Sequence, residues 1–353
     1  MLYLRPLGLL WGKDADEAVE AQEACRLAGG LCAFTLIEVI SRGGPTIKRE
    51  THGLRAIAES RDDNLQNLLS RITVPREPVA GLDLSRPSIM GIINVTPDSF
   101  SDGGEVFETA EAVAQGARFA EEGASVIDVG GESTRPGSEG IAEAVERERI
   151  VPVVRALAAA GHRVSIDTRK ASIMRDAVKA GAQMINDVSA LRFDGMSLKT
   201  AAALGRPVCL MHARGDPKTM QENPSYEDVA LDVFDELEGL IARAEAAGVK
   251  RSLILADPGI GFGKSFRHNL DLLKRLSLLH GLGVPIVMGA SRKGFIGALT
   301  GESAGRKRAA GSIGIALAAA AQGAQLLRVH DVKATAQALK LWRASCEPET
   351  SGL

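Results

Sequence analysis

The stretch SLILADPGIGFGKSFRHNLDLLKRLSLLHG, residues 252–281, contains one complete copy of the unit that decides the fold. It begins with an apolar run too short for a helix and without strict alternation, as expected for a strand buried on both faces of a parallel sheet. A loop carrying Gly259, Gly261 and Gly263 follows. Beyond it Leu272, Leu273, Leu276 and Leu279 line one face of a predicted helix, with Gly281 as its stop. The glycines and Lys264-Ser265 invite a phosphate-loop reading, which fails by one position in each frame. A Walker A loop needs glycine where Pro258 stands, and a G-x-G-x-x-G fingerprint meets Lys264 or Phe266 in place of its last glycine. A ligand-free strand-to-helix turn and a turn that serves some other ligand both remain open at this point.

Outward from this copy the unit recurs. Short apolar runs occur at SIMGIINV (88–95), SVIDVG (125–130), RVSIDT (163–168), QMINDV (183–188), PVCLMH (207–212), SLILADPG (252–259), PIVMGAS (285–291) and QLLRVHD (325–331). Amphipathic segments separate them, and those ending at Gly123 and Gly181 close with the same glycine stop. Eight strand–helix units predict an α/β fold, a (β/α)8 TIM barrel over residues 85–345, followed by a tail at 346–353. Residues 1–84 fall outside the count and read as a small N-terminal α/β extension. In it LYLRPLGLLWG and GGLCAFTLIEVI are predicted strands, ADEAVEAQEACRLAG and RDDNLQNLLSRI helices, and VPREPVAGLDLSRPS a linker. The extension carries no chemical motif and is expected to pack on the barrel or on a partner.

Bulk properties narrow the function classes. The 353-residue chain is 45% hydrophobic and 24% charged, ordinary for a soluble protein, and its net charge of −2 offers no field for nucleic acid or an anionic membrane. Cys25, Cys32, Cys209 and Cys346 form no metal-binding or redox spacing and read as reduced thiols. The N-terminus lacks the organisation of a signal peptide and no apolar run is long enough to span a bilayer, so a cytoplasmic location is expected.

Barrel enzymes place their chemistry at the C-terminal ends of the strands. Here those ends carry Asn94, Asp128, Asp167, Asn186-Asp187, His212, Asp257, Ser291-Arg292-Lys293, and Arg328 with His330. A lone Asp or Asn at such a place reads equally as a turn cap. Capping does not explain the cations. Carboxylates and amides can read the edge of a polar heterocycle, whereas Arg135, Lys293, Arg328 and His330 suit phosphate or carboxylate. Asn94 is a hard oxygen donor suited to Mg²⁺, which usually binds through few protein ligands plus phosphate oxygens. The pattern describes a flat amide-like ring bearing a diphosphate.

The stretches IMGIINVTPDSFSDGG (89–104) and IDVGGESTRPGSE (127–139) resemble the two signatures of the dihydropteroate synthase family. SIDTRK, INDVSA, LMHARGDPKTMQ, ADPGIGFGKS, GASRKGFIG and LLRVHDV continue the resemblance in order. It implies a transferase of folate biosynthesis that joins p-aminobenzoate to (7,8-dihydropterin-6-yl)methyl diphosphate, releasing diphosphate and 7,8-dihydropteroate. By matching position, Asp167, Asn186, Asp257 and Lys293 would hold the pterin, with Met211, Phe262 and Gly289 shaping its walls. Asn94 would bind Mg²⁺; Thr134, Arg135, Arg328 and His330 would grip the diphosphate, and Asp128, Pro136, Ser291 and Gly294 would complete the substrate site. Asp257, Lys293, Arg328 and His330 are the implied catalytic residues. Loops near 95–106 and 132–140 would roof the site. The resemblance also implies a homodimer and competition by sulfonamides. On this reading the glycines turn beside the pterin, and Lys264-Ser265 need no role.

Many members have Ser where this chain has Gly294, so a hydroxyl contact to the p-aminobenzoate carboxylate is missing, and backbone N–H groups of the following helix are the expected substitute. The alternative reading is a methyltetrahydrofolate-dependent methyltransferase acting with a corrinoid protein, which would not need the diphosphate cations. A phosphate-binding lyase or isomerase would want a Schiff-base lysine or a Glu/His pair, and neither is present. A non-catalytic scaffold would not need eight functionalised strand ends. His212 is left open between a pterin contact and a structural role. His52, His162, His268 and His280 read as surface residues, and Tyr226-Glu227 as a helix start.

Overall fold

The computed structural model describes residues 1–43, 46–96, 105–132, 140–215 and 220–346. The N-terminal module contains β1 (Leu2–Leu10), α1 (Gly12–Glu20), β2 (Cys25–Arg26), β3 (Ala33–Gly43), β4 (Thr46–Gly53), α2 (Leu54–Ala58) and α3 (Asp63–Thr73). β3 is the centre of an antiparallel sheet, flanked by β1 on one side and by β2 and β4 on the other. Leu4, Phe34 and Ile37 are buried with residues of α2 and α3, while Tyr3 and Ile40 join the barrel's core.

Two expectations fail in this module. The helix predicted from Ala15 to Gly29 stops at Glu20, because Gln22 and Ala28 adopt left-handed backbone and Cys25–Arg26 is recruited as a strand against Ala33 and Phe34. Sheet pairing there overrides local helix propensity. The segment read as a linker is packed: Val79, Leu82 and Leu84 are buried with Met90, Val126, Met184, Cys209, Leu255, Val287 and Leu326, closing the bottom of the barrel. Arg163 fixes this plug by donating to the carbonyls of Ala80 and Gly81.

The barrel strands are β5 (Ser88–Asn94), β6 (Val126–Gly130), β7 (Val164–Asp167), β8 (Met184–Asp187), β9 (Val208–Met211), β10 (Ile254–Asp257), β11 (Val287–Met288) and β12 (Leu326–Val329). They form one eight-stranded parallel sheet, and a bridge from Ala256 to Ile286 closes it. The helices are α4 (Glu105–Glu121), α5 (Glu143–Ala159), α6 (Ala171–Ala180), α7 (Ser197–Leu204), α8 (Val229–Ala246), α9 (Phe266–Lys274), α10 (Gly294–Thr300), α11 (Ala309–Ala320) and α12 (Val332–Cys346). Gly181 ends α6 in the left-handed region as predicted, but α9 stops earlier than its leucine pattern suggests. Leu276–Leu282 forms a fully buried 3-10 turn that ends at Gly283, not Gly281, with Ser277 bonded to the Pro6 carbonyl of β1. Those leucines are apolar all round because the module covers their outer side.

Period-two alternation then positions the site. Val126, Met184, Leu255 and Leu326 point into the barrel at its bottom. Two residues later along each strand stand Asp128, Asn186, Asp257 and Arg328, one layer nearer the C-terminal mouth.

Candidate active site

Arg328 on β12 is the hub of the mouth. Its Nε donates to Asp128 Oδ2 at 2.7 Å and its Nη2 to Asp167 Oδ2 at 2.6 Å. Asn186 Nδ2 donates to the same Asp128 oxygen at 3.0 Å. The other Asp128 oxygen, Oδ1, is buried with no partner. Such an acceptor is costly to leave unmatched, so this ring of side chains is incomplete without a hydrogen-bond donor. Burial pushes Asp167 up to about 7; Arg328 opposes this, and the Asp128 and Asp187 carboxylates add to it. Arg328 itself is held charged, with Asp128 and Asp167 outweighing its burial. One guanidinium is shared among several buried carboxylates and neutralises only part of their charge.

Asp257 closes the ring on β10. Burial raises its pKa, against the Gly259 N–H, which donates to Oδ1 at 2.7 Å, and the charge of Lys293. Its Oδ2 lies 3.1 Å from where a Cβ on Gly289 would stand, and Arg328 Cδ is 3.8 Å from the same point. Bare backbone at Gly289 is therefore part of the cavity shape. Met211 is buried beside Asp257 in the strand register. Lys293 places its Nζ 3.9 Å over the Phe262 ring. Ser291 Oγ is 3.0 Å from His330 Nδ1 and accepts from the His330 backbone N–H, fixing the imidazole at the rim. Gly294 opens α10, and a side chain added there would meet nothing within 4 Å.

Three of the strand-end residues lie elsewhere, His212 among them on the structural side of its two readings. Arg292 pairs with Asp331. Asp187 faces its own loop, accepting from Ser189 and Leu191. His212 is fully buried behind the mouth. Thr134, Arg135, Pro136 and most of both roofing loops lie outside the described residues.

The glycines of the opening stretch have a different reason from the one expected. Gly259, Gly261 and Gly263 all have left-handed φ. A Cβ on Gly259 would meet the His212 carbonyl at 1.8 Å, and one on Gly263 would meet the Arg214 carbonyl at 2.4 Å. Two of the three serve backbone packing behind the mouth; only Gly261 faces Lys293, whose Cδ would lie 3.2 Å from its Cβ. Lys264-Ser265 also have roles. Ser265 caps α9 reciprocally with His268, and Lys264 is 2% exposed, its ammonium inside the turn. Tyr226 donates to the Gly263 carbonyl at 2.8 Å, ahead of a helix whose cap is Asp228. His280, read as surface, is fully buried with Nε2 2.9 Å from the Gln322 carbonyl. The signal available for Lys264 was a charged residue inside a glycine turn that matched no phosphate loop.

Comparison with known proteins decides the lineage. Residues 90–330 match the pterin binding enzyme family. The dihydropteroate synthase of Escherichia coli (strain K12) is 46% identical over 265 residues, covering 75% of this chain and 93% of that protein. This chain belongs to the dihydropteroate synthase family. Solved family members superpose on it: the Xanthomonas albilineans enzyme with 4-aminobenzoic acid has a TM-score of 0.71 at 49% identity, over 75% of this chain and 96% of that one. The Yersinia pestis enzyme in a sulfonamide drug complex has a TM-score of 0.71 at 46% identity and the same coverage. The chain is thus a transferase barrel of the dihydropteroate synthase family. Among the described residues no helix is long and apolar enough to cross a membrane.

Proposed function

We propose that the mouth binds (7,8-dihydropterin-6-yl)methyl diphosphate and joins its methylene carbon to the amine of p-aminobenzoate, giving 7,8-dihydropteroate and diphosphate. The observation that carries this assignment is the incomplete acceptor ring: Asp128 Oδ1 lacks a donor beside Asp167, Asn186 and Asp257. The amino group and ring N–H of a pterin are donors of the required kind, and buried polar recognition of this sort discriminates strongly. Phe262 and Met211 supply apolar walls for the flat ring, and Gly289 leaves room at its side.

Arg328, Lys293 and His330 stand on the cationic side, where they would stabilise charge growing on the diphosphate as the methylene–oxygen bond breaks. Asp257 and Asp167 stabilise positive charge delocalised from the methylene into the ring. The aniline nitrogen attacks that carbon, and the resulting anilinium loses its proton to water, so no strong general base is needed. Asn94 fits a magnesium role: it ends β5 at the mouth, half-buried, and its side chain makes no hydrogen bond to another described residue. No cluster of three or more His, Cys, Asp or Glu able to hold a metal occurs among the described residues, in keeping with an ion held largely by substrate oxygens. Bound there, Mg²⁺ would neutralise diphosphate charge.

Sulfonamides are expected to compete with p-aminobenzoate. A homodimer in the cytoplasm completes the reading; Leu299 of α10 and Leu341 of α12 are exposed apolar side chains available to a second copy. The relatives favour diphosphate release over methyl transfer to a corrinoid protein. The test is to mix the purified chain with Mg²⁺ and both substrates. Dihydropteroate and diphosphate formed in equal amounts support the reading; absence of both refutes it.

A further inference from the structure

Lys264 lies on the side of the glycine turn away from the mouth, and three acceptors surround its Nζ. His212 Nδ1 is at 2.8 Å, the Gly259 carbonyl at 3.0 Å and the Phe262 carbonyl at 3.1 Å. With His212 Nδ1 accepting, the three acceptors match the three N–H bonds of an ammonium. An accepting Nδ1 places the imidazole proton on Nε2, which lies 3.0 Å from Glu236 Oε2, close in distance but off the N–H direction. Arg214 Nε donates to Glu236 at 2.6 Å and stacks on the Tyr226 ring. Burial lowers His212 to about 4, which keeps it neutral and able to accept. Burial also lowers Lys264, to about 7, with Asp257 and Glu236 pulling it back up.

The two carbonyls are the ends of the turn that carries pocket residues on its other side. Gly259 N–H donates to Asp257, Phe262 N–H donates to the Gly259 carbonyl, and the Phe262 ring lies under Lys293. The left-handed glycines turn these carbonyls toward Lys264, which donates to the Phe262 carbonyl and, beside the Phe262 N–H, supplies a second donor to the Gly259 carbonyl. We propose that Lys264, oriented by His212, is a positioning residue for the pterin pocket: it fixes the turn so that Asp257, Phe262 and Lys293 hold their places around one flat ligand. This inference rests on the pterin reading of the mouth.

Lys264→Met removes the donor and keeps most of the volume. The expected result is a pterin diphosphate Kd by calorimetry, and a KM, raised about tenfold or more, with the p-aminobenzoate KM within about twofold of wild type. General damage to the fold would move both substrates together and would overturn the inference, as would an unchanged pterin Kd in the folded variant. If Lys264→Met does not fold, the histidine supplies the test. His212→Asn keeps an acceptor near the position of Nδ1 and should bind pterin diphosphate close to wild type, whereas His212→Leu should lose affinity; equal affinities in the two overturn the inference. A wild-type chain that binds no pterin diphosphate overturns the pterin reading and this inference together, whereas wild-type binding with an indifferent Lys264→Met overturns the inference alone.

Discussion

At the barrel mouth Arg328 faces Asp128 and Asp167, and where the N-terminal module meets α8, Arg42 faces Glu227, Asp232 and Asp235. The two arginine side chains are equally exposed, at 19%. Their partners differ. At the mouth the acids are 0% and 9% exposed, and one Asp128 oxygen has no partner. Against α8, Asp232 is 10%, Asp235 30% and Glu227 71% exposed, and Tyr3 adds a second donor to Asp235. Arg49 with Asp228, Arg71 with Glu238, and the Trp11–Trp342 ring contact extend the same docking face. Identical residue types therefore do different work. Where water completes the pairing, charges orient two packed bodies and contribute little each. Where burial leaves the pairing incomplete, the residual demand is for a ligand.

The sharpest way to break this contrast is Arg328→Met. It leaves Asp128 and Asp167 buried without their cation, at a cost of about 3–5 kcal/mol, and removes a stabiliser of the leaving group, lowering kcat by about 10²–10³. Activity within tenfold of wild type would show that the mouth arginine is only structural. Asp257→Ala comes next. Leaving the pterin edge unpaired should weaken binding by about 1–3 kcal/mol or more, and retained affinity in calorimetry would remove Asp257 from the site.

Protonation gives a third, smaller test. Burial raises Asp167 from 3.8 to about 7, so between those values the folded chain holds a proton that the unfolded chain has released. Stability from this group is therefore greatest below the window and falls as pH rises through it. A donor-rich ligand must expel the proton. Calorimetry at about pH 6 in buffers of different ionisation enthalpy should detect proton release on pterin binding, and Asp167→Asn should abolish it.

The module face should respond in another currency. Arg42→Ala is expected to lower stability by about 1 kcal/mol, read as a fall in Tm of a few degrees, with both substrate KM values unchanged. A shift in the pterin KM would mean that the docking face reaches the site through α8. The smallest effect is expected from Gly294→Ser: with open space around the added side chain, it should lower the p-aminobenzoate KM by no more than about tenfold and leave pterin binding unaltered.

Much of the site was legible because a parallel barrel turns local sequence into position. A short apolar run followed by a polar residue puts that residue at the mouth, and Asp128, Asp167, Asn186, Asp257 and Arg328 all follow that rule. The rule is blind to side chains reaching the site from behind. Lys264 and His212 are far apart in the chain, and neither neighbourhood announces that one bonds the other. Gly259 and Gly263 were recognisable as necessary, but their cause, the backbone carbonyls of His212 and Arg214, lay in another segment.

What the sequence determined by itself was therefore the repeating unit, the barrel and the residues lining its mouth, because strand alternation and glycine stops act over a few residues. Tertiary structure alone decided the rest. Residues 79–84 became a plug, Cys25–Arg26 a strand and Leu276–Leu282 a buried turn, because each is set by a surface contributed from elsewhere in the chain. Burial, which sets a lysine among the carbonyls of a turn and leaves an aspartate oxygen without a donor, is a property of that assembly and of no single segment.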